Sequence, residues 1–300
     1  MKYPLLSIVI ANYNYGRFLE EAIQSVVNQN MGDNVELIIC DAASTDNSID
    51  IIKKYACGLP ANVLRSEWNE GGASNQSINR LVSWWCSEKD GGQSAAFNKG
   101  FMHARGKYLT WLNADDVMQK GCLQKICYQM ERHPDCEWFT GNFFRFLESR
   151  KVIEIGWGPH WYPNWLQRKN SPLVIFGPTS FFTKNIYESV GKIREDMFFM
   201  MDNDLWFRFM NAGVKMRRLR FFCWGFRMHE TSKTAEYGEH ILSETQAKRF
   251  AEERRACLER TGYRQSSVLR LICLGLRILD GSLLRKCWYM VTLKTYSEES

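Results

Sequence analysis

The sequence predicts an α/β domain whose mostly parallel central sheet is flanked by helices, followed by a helical tail. Two continuous apolar runs near the N-terminus, rich in β-branched residues, are typical of strands buried on both faces. Segments with helical periodicity alternate with these runs, and that alternation is typical of a mostly parallel sheet. Residues 261–300 are amphipathic and basic, which predicts the helical tail.

Length and composition indicate a folded protein. The 300 residues are 45% hydrophobic and 24% charged, which excludes a disordered chain and suffices for a large core. No apolar run reaches the roughly eighteen residues of a spanning helix, and the N-terminus lacks a cleavage site, so we expect a cytoplasmic protein. The net charge of +6 does not indicate nucleic-acid binding. Ten cysteines without regular spacing predict free, buried thiols.

The first half of the chain alternates strands and helices. Strands are predicted at Leu5–Ile10, Val35–Cys40 and Tyr108–Leu112. Helical periodicity follows each of the first two strands, and Gln93–Ala104 predicts a helix before the third. Residues 56–80 fit this alternation poorly and predict an inserted loop. We expect a short helix after it that contains Ile78, Leu81, Val82 and Trp85.

The second half is less regular and rich in aromatic residues. A helix is predicted at about residues 119–132, a strand at Ser180–Thr183 and a helix at Met201–Asn211. Beyond Thr231 we expect polar helix to about Arg260, and then the amphipathic tail.

Three polar clusters follow predicted strands: Asn12–Asn14, Asp41–Asp46 and Asn113–Asp116. In open parallel sheets, ligands bind at the carboxyl ends of the strands. One polar loop in this place is only a turn, but three that each contain a carboxylate or carboxamide predict a binding site.

Two acidic motifs have both a chemical and a structural interpretation. Asp115 and Asp116 are adjacent carboxylates that repel each other unless a cation or donors lie nearby, and a divalent ion prefers such oxygen ligands. The alternative is an acidic helix cap. Asp202, at the start of a hydrophobic helix with Asp204 close behind, is a candidate general base or an N-cap.

Two further segments suit phosphate or sugar groups. Glu88–Gln93, with Asn98 beyond it, places two glycines before a helix, where the backbone can approach a ligand closely. It is neither a Walker loop nor a dinucleotide fingerprint. His229 is followed by hydroxyl side chains and Lys233, a group that suits phosphate oxygens, although a lone histidine is more often structural.

Six motifs occur in order: SIVIANYNYGRFLEEAIQSVVNQ, ELIICDAASTDNS, SEKDGGQSAAFNKG, GKYLTWLNADD, MDNDLWFRF and RMHETSKT. Together they resemble the family 2 glycosyltransferases of the GT-A fold, in particular bacterial enzymes of surface polysaccharide assembly. The resemblance covers about residues 5–234.

The resemblance implies a role for individual residues. Ala11, Asn12 and Tyr13 would line the pocket for base and ribose, Asp41 would bind the nucleobase, and Asp90 would lie beside the nucleotide. The segment Asn113-Ala114-Asp115 stands at the position of the family's DxD motif. It implies that Asp115 ligates a Mn²⁺ or Mg²⁺ ion that bridges the diphosphate.

The remaining implied roles concern catalysis. Asp202 matches the acid of the family's ED-type motif and would be the catalytic base, with Asp204 as the substitute. His229 matches a position that reaches the metal or the diphosphate in some members. The implied activity is inverting transfer of a hexosyl or N-acetylhexosaminyl group from a nucleotide-sugar, favouring UDP, to a polysaccharide or lipid-linked hydroxyl.

Four positions depart from the family pattern: Asn113 replaces the first Asp of DxD, Met201 the Glu of ED, Ala43 a frequent Gly and Ala95 a frequent Asp. The departures at Asn113 and Ala95 keep open the alternative of a catalytically silent relative that binds nucleotide-sugar or carbohydrate. A nucleotidyltransferase on a similar sheet would need a basic phosphate signature near the N-terminus, which the sequence lacks.

The expected organisation is a catalytic domain at residues 1–234 and a tail at 235–300. The domain would comprise a nucleotide-binding half at 1–116 and an acceptor half at 117–234. In the tail, apolar residues such as Val268 and Leu271 interleave with Arg270, Arg277 and other bases. This pattern predicts either a helix packed on the catalytic domain or an in-plane helix on the anionic inner face of the plasma membrane.

Overall fold

The computed structural model of the chain describes residues 3–56, 82–157, 161, 175, 177–230, 232, 243–264 and 266–294. The chain divides into two compact units, Met1–Cys127 and Tyr128–Ser300. The domain bounds expected from the sequence stay a prediction.

The first unit contains a parallel sheet. Its strands are β1 (Leu6–Asn12), β2 (Val35–Asp41), β3 (Val82–Ser87) and β4 (Tyr108–Asn113), in the order β3-β2-β1-β4, and a short strand β5 spans Val117–Met118. Every residue of β2 is buried, including Glu36 and Asp41, and its apolar residues Leu37–Cys40 are typical of a strand covered on both faces.

Helices cover this sheet: α1 (Gly16–Val27), α2 (Ser48–Tyr55) and α3 (Gln93–His103), followed along the chain by α4 (Cys122–Arg132). The bounds of α3 and α4 agree closely with the predicted ones, and α1 and α2 follow the first two strands as predicted. The side chain of Phe97 on α3 packs on Trp111 of β4, with 5.3 Å between ring centroids, so helix and sheet share one core.

One element of the first unit differs from its prediction. Val82 and Trp85 belong to strand β3, which pairs parallel with β2, and the predicted helix there is wrong. A short apolar run does not distinguish strand from helix by periodicity, and here pairing with β2 decides the outcome. The inserted loop predicted at 56–80 lies almost entirely outside the described residues, as do Ile78 and Leu81.

The second unit contains strands that sequence reasoning mostly missed. The predicted strand at Ser180–Thr183 is confirmed as β8. Strands β6 (Trp138–Leu147), β7 (Val152–Gly156) and β9 (Met216–Met228) were not predicted. β6 pairs antiparallel with β7 and β8 and parallel with β9.

The helices of this unit are α5 (Lys184–Ser189), α6 (Met201–Asn211), α7 (Glu244–Thr261), α8 (Ser267–Leu279) and α9 (Ser282–Thr292). α6 has the predicted bounds, and its Trp206 and Phe209 are buried against Trp138 of β6. α7 begins with a capping box between Ser243 and Gln246, and Gly262 is its C-cap in a left-handed conformation.

Within the described ranges, no helix has the length and apolar content needed to cross a membrane. The nine cysteines in those ranges are free thiols, and seven of them are buried.

Candidate functional site

The carboxyl ends of the parallel strands bring the predicted polar clusters to one edge of the sheet. Asn12 pairs with Asp41 in the β1–β2 register, and Asp41 pairs with Ser87 in the β2–β3 register. On the other side of β1, Ala11 pairs with Asn113. Sequence reasoning missed Ser87 at this edge because it predicted a helix in place of β3.

Asp41 is the centre of a hydrogen-bond network at this edge. Its carboxylate is 1% exposed and accepts four hydrogen bonds. The donors are Asn12 Nδ2 at 2.7 Å, Ser44 N at 2.9 Å, Ser44 Oγ at 2.5 Å and Ser87 Oγ at 2.7 Å. Since a carboxylate offers about four lone-pair sites, the chain's own donors use this capacity and fix Asn12, Ser44 and Ser87.

Asn12 has an acceptor atom that the described residues leave unused. Its amide nitrogen donates to Asp41 and, at 3.2 Å, to Ser44 Oγ, which sets the orientation of the amide group. Asn12 is 4% exposed, and its Oδ1 has no hydrogen-bond partner among the described residues. Buried polar atoms are nearly always hydrogen-bonded, so this oxygen is suited to an N–H or O–H of a ligand.

The loop after β1 is fastened to the loop after β2. The backbone N–H of Asn14 donates to Ser44 Oγ at 2.9 Å, and the N–H of Thr45 donates to Asn14 Oδ1 at 2.8 Å. Asn14 has a φ of 55°, a left-handed conformation that asparagine tolerates. These bonds give the Asn12–Asn14 segment a defined shape beside the sheet edge.

Asp46 caps two helices at once. Its Oδ2 accepts from Gly16 N of α1 at 2.8 Å, and its Oδ1 accepts from Ser48 N of α2 at 3.0 Å. A Cβ on Gly16 would lie 2.0 Å from Asn47 Oδ1, so a larger residue there would displace the exposed Asn47 side chain. Burial acts to raise the pKa of Asp46, but hydrogen bonds from Ser48 and Gly16 outweigh it, so the pKa lies below its ordinary value.

The NADD segment has different roles for its two carboxylates. Asp116 is fully buried, and its Oδ2 accepts from Asn113 Nδ2 at 2.7 Å. Asn113 Oδ1 accepts from Gln93 Nε2 of α3 at 2.9 Å, so the Asn113 amide links Asp116 to that helix. Asp115 is half-buried, as is Asn113, whereas Ala114 is buried. Of the two acids, Asp115 is therefore the one that a ligand can reach.

The glycine-containing segment lies at the end of β3. Asp90 is half-buried, and its Oδ1 accepts from the N–H of Gly92, which has a φ of 105°. Asn98 lies half-buried on α3, and Tyr13 projects from the β1 loop with 58% of its surface exposed. The structure thus places Asp90 in the loop that connects β3 to α3.

In the second unit, Asp202 lies in the first turn of α6. It is half-buried, and its Oδ1 accepts from Asn203 N at 2.7 Å. Asp204 is fully buried and forms ion pairs with Arg208, at 2.8 Å, and with Arg260 of α7. These surroundings favour a structural role for Asp204 over the role of substitute base.

Glu253 of α7 is a residue near Asp202 that sequence reasoning missed. Its carboxylate accepts from Phe198 N at 2.9 Å, Phe199 N at 2.7 Å and Met200 N at 3.2 Å, immediately before α6 begins. Asp202 therefore lies between two attachments of α6 to α7, namely Glu253 before it and the Arg260–Asp204 ion pair after it. A charged residue in a polar helix gives no sequence signal for such a contact.

His229 directly follows β9 and is buried. Its backbone N–H donates to Ser232 Oγ, and its carbonyl accepts from Ser232 N, each at 3.0 Å. Lys233 lies outside the described residues. In the part of the chain that the structure describes, no three His, Cys, Asp or Glu side chains are grouped to hold a metal ion by themselves.

Comparisons with known proteins found relatives similar in sequence to this chain. The minor teichoic acid biosynthesis protein GgaB of Bacillus subtilis (strain 168) is 29% identical over 168 residues, which are 51% of this chain and 16% of GgaB. The chain spans less than half the length of the first three curated relatives that it matches, at 16%, 31% and 41%.

Two solved structures are similar at 14% identity. One is S. aureus TarS 1-349 in complex with UDP-GlcNAc, with a TM-score of 0.56 over 78% of this chain and 61% of the TarS chain. The other is the mannosyltransferase PcManGT from Pyrobaculum calidifontis in complex with GDP-Man and Mn²⁺, with a TM-score of 0.53 over 98% of this chain and 85% of the PcManGT chain. At this identity the likeness shows the fold, and the expected GT-A fold is confirmed.

The sequence model of one family, described as Glycosyl transferase family 2, matches residues 7–79 and 85–191. These segments make up more than half of the chain and contain β2, β4, β6 to β8, the NADD segment, nearly all of β1 and the second half of β3. The identification as a family 2 glycosyltransferase is confirmed, and the chain belongs to glycosyl transferase family 2.

Proposed function

We propose that the chain transfers a hexosyl or N-acetylhexosaminyl group from a UDP-sugar to a hydroxyl of a polysaccharide or lipid-linked oligosaccharide, with inversion at the anomeric carbon. The buried Oδ1 of Asn12 is the observation that carries the proposal, because its amide is held by Asp41 while its acceptor is unused among the described residues. The UDP-GlcNAc complex of TarS, on a similar fold, supports a UDP-sugar as donor.

The nucleoside would bind at the sheet edge of the first unit. Asn12 Oδ1 would accept from an N–H of the base or a ribose hydroxyl, and Ala11 would line the same pocket. The exposed ring of Tyr13 offers a face on which the base can stack. Asp41 would act chiefly by holding Asn12 in place, while its predicted direct contact with the base stays part of the proposal. Asp90, in the β3–α3 loop, would lie beside the nucleotide.

The carboxylate oxygens of Asp115 are ligands of the kind that suits a Mn²⁺ or Mg²⁺ ion. Asp116 is buried and bound by Asn113, which leaves one accessible carboxylate. Binding through one or two carboxylates and substrate phosphates is typical of Mg²⁺. We propose Asp115 as the ligand, with His229 toward the metal or the diphosphate. The chemistry that such an ion supplies is neutralisation of charge on the leaving diphosphate.

Asp202 would be the general base. Asn203 N holds its Oδ1 at 2.7 Å, which orients the carboxylate in the first turn of α6. The base would take the proton of the acceptor hydroxyl as its oxygen attacks the anomeric carbon from the face opposite the leaving group. A single displacement of this kind inverts the configuration.

The acceptor class is proposed from the relatives. GgaB is a teichoic acid biosynthesis protein by name, which supports a glycan of the cell envelope as acceptor. We propose that such an acceptor is presented at the inner face of the plasma membrane, where the basic tail would place a peripheral enzyme.

Calorimetric titration with UDP, with and without Mn²⁺, tests the binding part. Asn12→Ala should weaken UDP binding roughly 2- to 12-fold with or without the metal, the value of a hydrogen bond of about 0.5–1.5 kcal/mol. Asp115→Ala should remove only the Mn²⁺-dependent part of the affinity, and Asp33→Ala, an exposed acid elsewhere, should bind normally. If the Asp115 variant bound UDP with Mn²⁺ as tightly as wild type, the metal assignment would be wrong.

Donor turnover separates an enzyme from a silent relative. Wild type should release UDP from its UDP-sugar in the presence of Mn²⁺, and Asp202→Asn should lower turnover by about 10²–10⁴ with little change in donor affinity. Tight UDP-sugar binding without hydrolysis or transfer to any glycan acceptor would favour the silent relative.

A further inference from the structure

Helix α8 has an apolar row on a side that the described residues leave exposed. Val268, Leu271, Leu274 and Ile278 recur at spacings of three and four residues and are 65%, 69%, 43% and 57% exposed. Such spacing places side chains on one side of a helix. Cys273 and Leu276 lie on another side and are buried.

Helix α9 repeats this arrangement. Leu284, Trp288 and Val291 follow the same spacing and are 74%, 61% and 66% exposed. Tyr289 lies on the opposite side and packs on Trp157 and Phe222, with ring centroids 5.3 and 5.2 Å away. The tail is thus anchored in its own unit through one side, and the two apolar rows remain exposed.

The charges beside these rows indicate what can cover them. Residues 264–294 contain six basic side chains against the single acid Asp280. Arg264, Arg270 and Lys294 are exposed. A second copy of this surface would bring the same excess of positive charge against it. An anionic lipid surface complements both features, because it attracts the bases and accepts apolar side chains at the headgroup boundary.

We propose that α8 and α9 dock the protein on an anionic lipid surface, with Val268, Leu271, Leu274, Ile278, Leu284, Trp288 and Val291 entering the headgroup boundary. The two alternatives predicted for the tail are then compatible, since one side of the helices packs on the protein and the other contacts lipid. Trp288, next to Tyr289, is of the residue type enriched at membrane interfaces. This inference does not depend on the identity of the donor sugar.

Co-sedimentation of the full chain with vesicles tests the proposal. One vesicle preparation is phosphatidylcholine alone, and the other contains phosphatidylcholine and phosphatidylglycerol. Wild type should bind the anionic vesicles, less at high salt, and should not bind the neutral ones. A triple variant, Leu271→Ser with Ile278→Ser and Trp288→Ser, should bind about tenfold more weakly or worse at every salt concentration, because it loses the inserting side chains.

Two matched variants control this experiment. Met102→Ser with Tyr128→Ser changes exposed apolar residues outside the tail and should bind vesicles like wild type. Arg264→Gln with Arg270→Gln and Lys294→Gln should weaken binding and flatten its salt dependence. UDP affinity and melting temperature, measured on every variant, separate this test from the test of the proposed function and report on folding.

Three outcomes would overturn the proposal. The first is that wild type does not bind anionic vesicles. The second is that the apolar triple variant binds them as tightly as wild type does. The third is that sedimentation velocity shows a wild-type dimer that the triple variant abolishes, because a second copy would then cover the apolar rows.

Discussion

Replacement of Glu253 tests whether α7 holds the start of α6, the helix that contains Asp202. Glu253 is 9% exposed and accepts three consecutive backbone N–H groups, from Phe198, Phe199 and Met200. Glu253→Gln keeps one acceptor oxygen but turns an amide NH₂ toward backbone donors. Glu253→Ala removes both oxygens and leaves these N–H groups without the carboxylate.

The size of the effect follows from the hydrogen bonds. A hydrogen bond to a charged group contributes about 1.5–3 kcal/mol, and a backbone donor left without its partner costs roughly 1–3 kcal/mol. The ion pair with Arg249 adds little, because the Arg249 side chain is 53% exposed. We expect Glu253→Gln to lower the free energy of unfolding by about 2 kcal/mol and Glu253→Ala by about 3–5 kcal/mol.

The pH dependence gives a second test. Burial acts to raise the pKa of Glu253, but hydrogen bonds to its carboxylate together lower the pKa by more than burial raises it. The donors are the backbone N–H groups of Phe198, Phe199 and Met200 and the side chain of Arg249, and the pKa therefore lies below its ordinary value. A lowered pKa adds stability that is fully present above the unfolded value of about 4.3 and is lost as the pH falls through the folded value. The difference between wild type and Glu253→Gln should therefore be largest near neutral pH and shrink on acidification.

Urea unfolding from pH 7 to pH 3 measures these differences, with Glu252→Gln as the exposed neighbouring control. If Asp202 is the base, turnover of Glu253→Gln should fall while donor affinity stays unchanged, because Glu253 positions the turn that contains Asp202. Equal unfolding midpoints for wild type and Glu253→Gln at pH 7, or a difference that grows toward acid, would refute the reasoning.

Three further predictions concern the first unit, and urea unfolding checks each of them. Ala43 has a φ of 57°, so Ala43→Gly should stabilise the protein by about 0.5–1 kcal/mol, and a loss of stability would contradict this. Asp46→Ala should cost about 1–2 kcal/mol because two helices lose their cap, and Asp46→Asn should cost less. Asn113→Asp should cost about 1–3 kcal/mol at pH 7, since it sets a second carboxylate against Asp116, and stability equal to wild type there would argue against that contact.

The parts of the fold that the sequence predicted have a pattern that burial alone explains. The runs at Leu5–Ile10 and Val35–Cys40 are apolar except for Ser7 and Glu36, because both faces of those strands are covered. The helix at Met201–Asn211 has apolar side chains on the side that faces the core. In each case the local pattern and the tertiary environment agree, so a single sequence is sufficient.

The strands that sequence reasoning missed depend on partners far along the chain. Residues 82–87 become β3 because β2 offers an edge, and nothing in their own pattern distinguishes strand from helix. β9 mixes arginines with aromatic residues over thirteen positions and is held by β6, and each pair of partners from Trp138↔Met216 to Leu147↔Met228 is far apart in the sequence. Periodicity reports local burial, whereas pairing of this kind is decided by tertiary contacts.

For the candidate site, the sequence predicted which residues have suitable chemistry but not which contacts they make. The motifs identified Asn12, Asp41, Asp115 and Asp202 as residues with suitable chemistry. They did not reveal that Asp41 is occupied by four donors or that Glu253 binds the backbone before α6. Those contacts come from loops and helices whose approach is a property of the fold.

The departure at Asn113 from the family's DxD pattern has a local physical reason. Asp116 is fully buried and needs a donor, which Asn113 Nδ2 supplies at 2.7 Å. The Oδ1 of the same amide accepts a hydrogen bond from Gln93 Nε2. A carboxylate at this position could accept from Gln93 but could not donate to Asp116, because an ionised carboxylate has no hydrogen-bond donor. An Asp at this position would set two negative charges in contact within a buried turn. Asparagine therefore suits the turn while Asp115 stays accessible, and the substitution is consistent with a site that keeps its proposed metal ligand.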